Sequence, residues 1–392
     1  KNEGALLPLS KSIGKIAVIG PSADSARLMQ GDYHYPSHME NMFDPNLSPD
    51  APTPAQEMAL DWASHFPPSV TVLEGIQRLV SPQTEVRYAR GCDILDSDTS
   101  GFAEAVAAAQ GADVAVVVVG DKSGLARGAT VGESIDRAIL DLPGVQQQLV
   151  EAIHATGTPV VVVLTNGRAV TLGWIAQHIP AVLVAWLPAE QGGAAIANAL
   201  FGEVNPGGKL PVSFPQHVGQ VPLFYNHKPS GGRSHWQGEY VEMSTRPIYP
   251  FGHGLSYTRF DYADLHITPQ QVKAEGMVDI SFTVTNSGPR AGEEVVQLYV
   301  GDPIASVTRP VIALKGFQRV ALQAGETKTV TFNLDVRHLA FYDRNMRYQV
   351  EPGEITVKIG SSSQDIRLNG CFEIIGQSVE VEQVFFTTVN TQ

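Results

Sequence analysis

Val114-Ala115-Val116-Val117-Val118-Val119 is apolar at every position. A strand with one face in water alternates, so a run apolar on both faces is the signature of a central parallel strand covered by helices on both sides. Pro159-Val-Val-Val-Val-Leu164 has the same character, and the shorter run Ile16-Ala-Val-Ile19 is closed by Gly20-Pro21. Between these runs, apolar residues recur at helical spacing: Leu73, Ile76 and Leu79; Phe102, Val106 and Ala109; Val145, Leu149 and Ile153. Val86 and Tyr88 alternate as in a strand. A helix near Thr171 to Gln177, a strand from Ala181 to Trp186 and a helix from Gly193 to Phe201 continue the pattern, and residues 31–70 read as an irregular insertion. Alternating β and α units of this length predict a doubly wound, mostly parallel sheet with right-handed crossovers, an α/β sandwich.

After Glu203 the pattern changes. Asn205-Pro206-Gly207-Gly208 marks the turn out of the last helix, and the stretch to residue 260 has many Pro, Gly, His and aromatic residues without long periodicity. Strict alternation follows in Val278/Ile280/Phe282/Val284, Val296/Leu298/Val300, Val330/Phe332/Leu334 and Ile355/Val357/Ile359. Turn chemistry such as Asn286-Ser-Gly-Pro289 and Gln323-Ala-Gly325 bounds these runs. About seven short strands in this region predict an all-β sandwich of immunoglobulin or fibronectin type III kind. The expected division is therefore 1–215 as the α/β sandwich, 216–260 as an extended connector, 261–375 as the β-sandwich and 376–392 as a tail. Alternation in that tail, at Val379/Val381 and Val384/Phe386, suggests that it packs back on a neighbour.

Composition narrows the function. The 392 residues carry 27 Lys and Arg against 40 Asp and Glu, a net charge of −13, which repels phosphate backbones and disfavours nucleic acid as a partner. No apolar run approaches the roughly 18–20 residues needed to span a bilayer, so no membrane is expected. Cys92 and Cys371 are too few and too far apart for a zinc ribbon, a redox motif or a disulfide framework. Lys1-Asn2-Glu3-Gly4 has neither a Met nor a signal-peptide pattern, so the front of the chain reads as truncated or processed and the compartment stays open.

In an open parallel sheet, ligands bind outside the carboxyl ends of the strands. Four loops qualify, after Ile19, Val119, Leu164 and Trp186. The second is unusual: Asp121 to Pro143 is 23 residues, against about 2–6 for an ordinary β-to-α connection. It holds Gly132-Glu133-Ser134-Ile135-Asp136-Arg137, in which Glu133 is a candidate proton donor near Arg137. On this feature alone, a glutamate in a polar loop is more often a solvated surface carboxylate than a catalytic one. Glu190, before the helix at Gly193, is a second candidate; its bland reading is a carboxylate favoured by the positive end of that helix. Arg168 is placed to pair with such a carboxylate. His217, His227, His235 and His253 are irregularly spaced, so no metal site is expected and no cofactor is implied. Gly202 to Lys209 lacks the spacing of a phosphate-binding loop, and there is no nucleophile-elbow GxSxG.

The order of motifs resembles the carboxyl-terminal two-thirds of a glycoside hydrolase family 3 β-glycosidase. The resemblance rests on Lys1-Asn-Glu-Gly-Ala-Leu-Leu-Pro-Leu9, Ile16-Ala-Val-Ile-Gly-Pro-Ser-Ala-Asp24, and Gly132-Glu-Ser-Ile-Asp-Arg137 with Leu140-Asp-Leu-Pro-Gly144. It continues in Leu200-Phe-Gly-Glu-Val-Asn-Pro-Gly-Gly-Lys-Leu-Pro-Val-Ser-Phe-Pro215, in Tyr225 to Trp236 and in Tyr249-Pro-Phe-Gly-His-Gly-Leu-Ser-Tyr257. It implies an amino-terminal (β/α)8 barrel, absent from these residues, that supplies an aspartate nucleophile and most sugar contacts. It makes Glu133 the acid/base residue and Asp136-Arg137 loop-fixing. The implied activity is that of a retaining, exo-acting β-D-glucosidase releasing glucose from non-reducing ends of β-glucosides or oligosaccharides. A β-xylosidase of the same mechanism and a non-catalytic carbohydrate-binding or assembly fragment are the alternatives. The implied partners are substrate and barrel, with a homodimer compatible.

Overall fold

The computed structural model describes residues 1–40, 67–125, 128–229 and 239–392. It divides into two compact units, Lys1–Val204 with Gln216–Gly219, and Asn205–Pro215 with Gln220–Gln392. Residues 205–215, read from the sequence as the close of the α/β sandwich, thus cluster with the β-rich unit, as does most of the stretch read as a connector.

The first unit holds a five-stranded, wholly parallel sheet. Its strands are β1 (Lys15–Ile19), β2 (Glu85–Ala89), β3 (Val114–Gly120), β4 (Val160–Thr165) and β5 (Ala181–Val184), in the order β2-β1-β3-β4-β5. Every residue of β3 and β4 is buried, which is why these strands could be read as uninterrupted apolar runs. The described helices are α1 (Tyr35–Glu40), α2 (Val72–Leu79), α3 (Phe102–Ala109), α4 (Gln146–His154), α5 (Gly173–His178) and α6 (Gly192–Leu200). Helix α2 starts on a capping box: Thr71 Oγ1 accepts from the Glu74 amide and the Glu74 carboxylate from the Thr71 amide, both at 3.2 Å. The doubly wound reading holds, with helix and strand ends within a few residues of those expected. Part of the expected insertion, residues 41–66, lies outside the described residues.

Apart from one short parallel pair, Gln271–Val272 with Glu373–Ile374, the second unit is antiparallel β. One face is a four-stranded sheet containing β6 (Phe260–Thr268), β8 (Met277–Asn286), β11 (Thr327–Asp335) and β17 (Thr388–Thr391). The other is a five-stranded sheet of β7 (Gln271–Val272), β9 (Gly292–Gly301), β10 (Ala313–Leu322), β14 (Gly353–Gly360) and β15 (Ile366–Ile374). Val278, Ile280, Phe282 and Val284 of β8 meet Val296, Leu298, Val357 and Ile359 in one buried core. The tail packs back within its own unit: β17 pairs with β11, and β16 (Val379–Glu380) joins β12 (Phe341–Tyr342) and β13 (Tyr348–Val350) in a small three-stranded sheet.

The β-rich unit carries a built-in acid sensitivity. His338 lies with Nδ1 3.1 Å from Thr387 Oγ1, and burial, reinforced by the nearby Lys315 cation, pulls its pKa down to about 4. An unfolded histidine titrates at about 6.5. Between those values the unfolded chain holds a proton that the folded unit does not. The stability this group contributes is therefore complete above about pH 6.5 and is lost as pH falls towards 4. The His338→Gln variant is expected to lose less thermal stability than the parent between pH 7 and pH 4. Equal losses in the two proteins would show that the ring is not responsible.

Candidate active site

A parallel sheet of order β2-β1-β3-β4-β5 reverses direction between β1 and β3, and the crevice outside their carboxyl ends is where doubly wound folds bind ligands. The loop carrying Glu133 leaves from that point. Its base is tightly held. Gly120 adopts φ 155°, and a Cβ there would stand 1.9 Å from the Thr165 carbonyl oxygen, so glycine is required. The fully buried Gln146 amide brackets the same residue, accepting from Gly120 N at 2.8 Å and donating to Gly120 O at 2.9 Å and Pro143 O at 3.1 Å. Both ends of the long loop are thus tied to one side chain.

The loop then folds on itself. Buried Asp121 accepts from Thr130 Oγ1 at 2.7 Å and from the Gly167 amide at 3.3 Å, while Thr130 N donates to Lys122 O and Gly124 N to Val131 O. Arg168 Nη2 donates to the carbonyls of Thr130 and Ile135 at 2.9 and 3.0 Å, and Arg27 Nη2 to Ser123 O at 2.6 Å. Arg27 also grips Glu40 with two bonds of 2.8 and 2.7 Å. Arg168 therefore fixes backbone rather than pairing with a carboxylate. Arg137 behaves alike: its guanidinium donates to Asp141 O at 2.9 Å rather than to the expected neighbour Glu133.

Glu133 sits in a tight turn closed by Ile135 N donating to Gly132 O at 3.2 Å. Gly132 has φ 137°, and a Cβ there would lie 2.2 Å from Gly124 O; Ser134 has φ 61°, a left-handed conformation uncommon outside glycine and asparagine. Such outliers at a loop tip mark a conformation imposed by its surroundings. The Glu133 side chain is exposed, and two residues from the loop after β1 hold it. Asp32 Oδ2 accepts from Glu133 N at 2.9 Å, and Tyr33 Oη donates to Glu133 Oε2 at 2.6 Å. That bond to the carboxylate raises the Tyr33 pKa, because ionising the phenol would remove the donor and set two anions together. Asp32 and Tyr33 were not singled out in the sequence. The available signal was their place in the loop after the first strand.

Glu190 belongs to the same edge but a different contact. His34 Nε2 lies 3.1 Å from Glu190 Oε1. A hydrogen bond from its own amide, then that from His34, holds the Glu190 carboxyl below its ordinary pKa. It lies two residues before α6. Ser22 Oγ, Arg27 Nη1, both amide atoms of Gln30, His34 Nδ1, Asn166 Oδ1 and Arg168 Nε are buried near these loops without a protein hydrogen-bond partner, giving the edge a polar floor. The connector histidines do not gather: Gly219 N donates to His217 Nδ1, His227 pairs with the Lys228 carbonyl and His253 stacks on Tyr249. His235 lies outside the described residues. Among the described residues no group of three or more His, Cys, Asp or Glu is placed to hold a metal ion.

Comparison with known proteins adds what geometry alone does not. Residues 1–257 match the glycosyl hydrolase family 3 C-terminal domain, and residues 294–363 a fibronectin type III-like domain. A β-xylosidase of Formosa agariphila is 43% identical over 93% of this chain and 46% of its own length. A periplasmic β-glucosidase of Salmonella typhimurium is 37% identical over 96% of this chain and 48% of its own. A Listeria innocua β-glucosidase solved in complex with glucose superposes with a TM-score of 0.79 at 31% identity, covering 96% of this chain and 48% of that one. The chain spans about half the length of the curated relatives it matches.

Proposed function

Because this chain belongs to glycoside hydrolase family 3, we propose that it is the acid/base-bearing part of a retaining, exo-acting β-D-glucosidase, with Glu133 as proton donor and acceptor. The observation that carries this reading is the placement of Glu133: an exposed carboxylate on a braced loop at the sheet's switch point, held by Asp32 and Tyr33. The proposed nucleophile is an aspartate on an amino-terminal (β/α)8 barrel outside these residues. A retaining mechanism needs the two carboxyl groups only about 5–5.5 Å apart.

In the first step the aspartate forms a bond to the anomeric carbon as the bond to the leaving oxygen breaks, and Glu133 gives that oxygen its proton. In the second, the Glu133 carboxylate takes a proton from water, whose oxygen attacks the same carbon and releases the aspartate. Two inversions leave the β configuration unchanged. The Tyr33 hydroxyl, donating to Glu133 Oε2 at 2.6 Å, fixes the orientation of this carboxylate.

Strand β5 supports a barrel as the partner. Leu183 and Val184, with Trp186 and Leu187 beyond them, are only half-buried, whereas strands of parallel sheets are normally covered on both faces. A β-xylosidase of the same mechanism is the second reading, favoured by the identity to the Formosa agariphila protein. The sugar's hydroxymethyl group would be read mainly by the barrel, so both readings place the same task on Glu133.

The test is the full-length protein acting on 4-nitrophenyl β-glucoside and β-xyloside, with the first-formed anomer followed by NMR. The β anomer is expected first, and the ratio of kcat/KM values assigns the sugar. An α anomer appearing first would overturn the retaining mechanism.

A further inference from the structure

The chain from Gly31 to Glu40, which carries Asp32 and Tyr33, is itself firmly braced. Gly31 O accepts from His34 N at 3.3 Å and from Oγ of the fully buried Ser37 at 2.9 Å, and His34 Nε2 stands 3.1 Å from Glu190 Oε1. At the far end Glu40 is gripped by Arg27, which also donates to Ser123 O, and lies 3.7 Å from Lys122 Nζ. Lys122 and Ser123 open the loop of Glu133. The two loops are therefore joined at the base of the Glu133 loop as well as at its tip.

At the tip the two carboxylate oxygens are bonded unequally. Oε2 accepts from Tyr33 Oη at 2.6 Å, the separation of a charge-assisted bond, while Oε1 has no hydrogen-bond partner among the described residues. Asp32 accepts from the Glu133 amide, so peptide and side chain are held from adjacent positions. Tyr33 is 69% exposed, with its ring 5.8 Å from that of His38. A bond between two such exposed groups contributes little to folding, because water would satisfy both. Its consequence is for the carboxyl group.

A protonated carboxyl accepts a hydrogen bond far better through its carbonyl oxygen than through its hydroxyl oxygen. With Oε2 taken by the phenol, the proton is held on Oε1. We propose that Tyr33 is a positioning residue for proton transfer: by keeping Oε2 as the acceptor it makes Oε1 the oxygen that gives the proton to the leaving group and later takes one from water. The inference rests on Glu133 being the acid/base. Tyr33 exchanges no proton with the sugar, and its O–H bond stays intact through both steps.

The test is Tyr33→Phe in the full-length protein, measured beside the parent and Glu133→Ala on aryl β-glycosides of the preferred sugar, from dinitrophenyl to phenyl. The first step sets kcat/KM. For Tyr33→Phe it should stay nearly unchanged with the dinitrophenyl glycoside and fall as the leaving group worsens, by about tenfold or more with phenyl, the worth of a hydrogen bond to a charged group. With the dinitrophenyl glycoside kcat is set by the second step. It should fall too, and azide, which needs no base, should restore it. A role confined to structure would lower kcat/KM by one factor across the series; that uniform loss overturns the proposal, as does parent-like activity on the phenyl glycoside. Glu133→Ala separates the two failures. If it shows the leaving-group dependence and Tyr33→Phe does not, only the role of Tyr33 falls; if Glu133→Ala lacks it, both readings fall. The contact itself is read in residues 1–392 by NMR of ring-labelled tyrosine, with Tyr33→Phe assigning the resonance. Because bonding to the carboxylate raises the Tyr33 pKa, Glu133→Gln should lower it, and an unmoved Tyr33 titration overturns the proposal.

Discussion

Glu133→Ala, in the full-length protein, is expected to separate substrates by their leaving groups. Cellobiose, whose leaving alkoxide needs a proton, should lose about 10²- to 10⁴-fold in rate, the usual worth of general acid catalysis. A dinitrophenyl glycoside departs as a stable phenolate, so its first step should survive almost unchanged. Its second step would still lack the base that activates water, and the covalent glycosyl-enzyme should therefore accumulate and show as a burst of dinitrophenol. Azide attacks without needing to be deprotonated. Adding it should restore turnover and yield a glycosyl azide of β configuration. The decisive comparison is Glu190→Ala, because Glu190 shares the sheet edge but is bonded to His34 and its own amide. If that variant shows azide rescue and Glu133→Ala does not, the acid/base is Glu190 and the proposed assignment fails.

Residues 1–392 by themselves are expected to turn over neither 4-nitrophenyl β-glucoside nor the β-xyloside above the uncatalysed rate. The reason is stoichiometric: one carboxylate on a loop can protonate a leaving oxygen but cannot also attack the opposite face of the sugar. Adding a separately produced barrel should raise the rate if the half-buried residues of β5 and its following loop form the surface it covers. Turnover by the purified chain alone, abolished by substituting any carboxylate within it, would show that the nucleophile lies inside these residues and would end the divided-site reading.

The element pattern was legible because burial leaves a local trace. Residues 114–119 and 160–164 carry the apolar runs of strands covered on both faces, and residues 278–284 the alternation of a strand covered on one. Strands β10 and β15 were harder to read. In Ala313–Leu322 and Ile366–Ile374 few side chains are fully buried and charged residues interrupt the runs, so the period of two is diluted. β6 is further broken by a bulge at Asp264, where φ is 56°.

The site divides in the same way. Glu133 stood out because a 23-residue loop at the end of a buried strand is too long to be a mere connection, and the motif around it resembled a known one. Asp32 and Tyr33 gave no such trace, since neither periodicity nor turn chemistry says which distant side chain a polar loop residue will meet. By itself the sequence determined the two kinds of unit, their order and the strands from which the loops depart, because those depend on which side chains leave water. Only the tertiary structure decided that residues 101 and 100 positions before Glu133 hold its backbone and its carboxylate. It did so through the strand order, which seats β1 against β3 and brings together two loops that the chain itself keeps far apart.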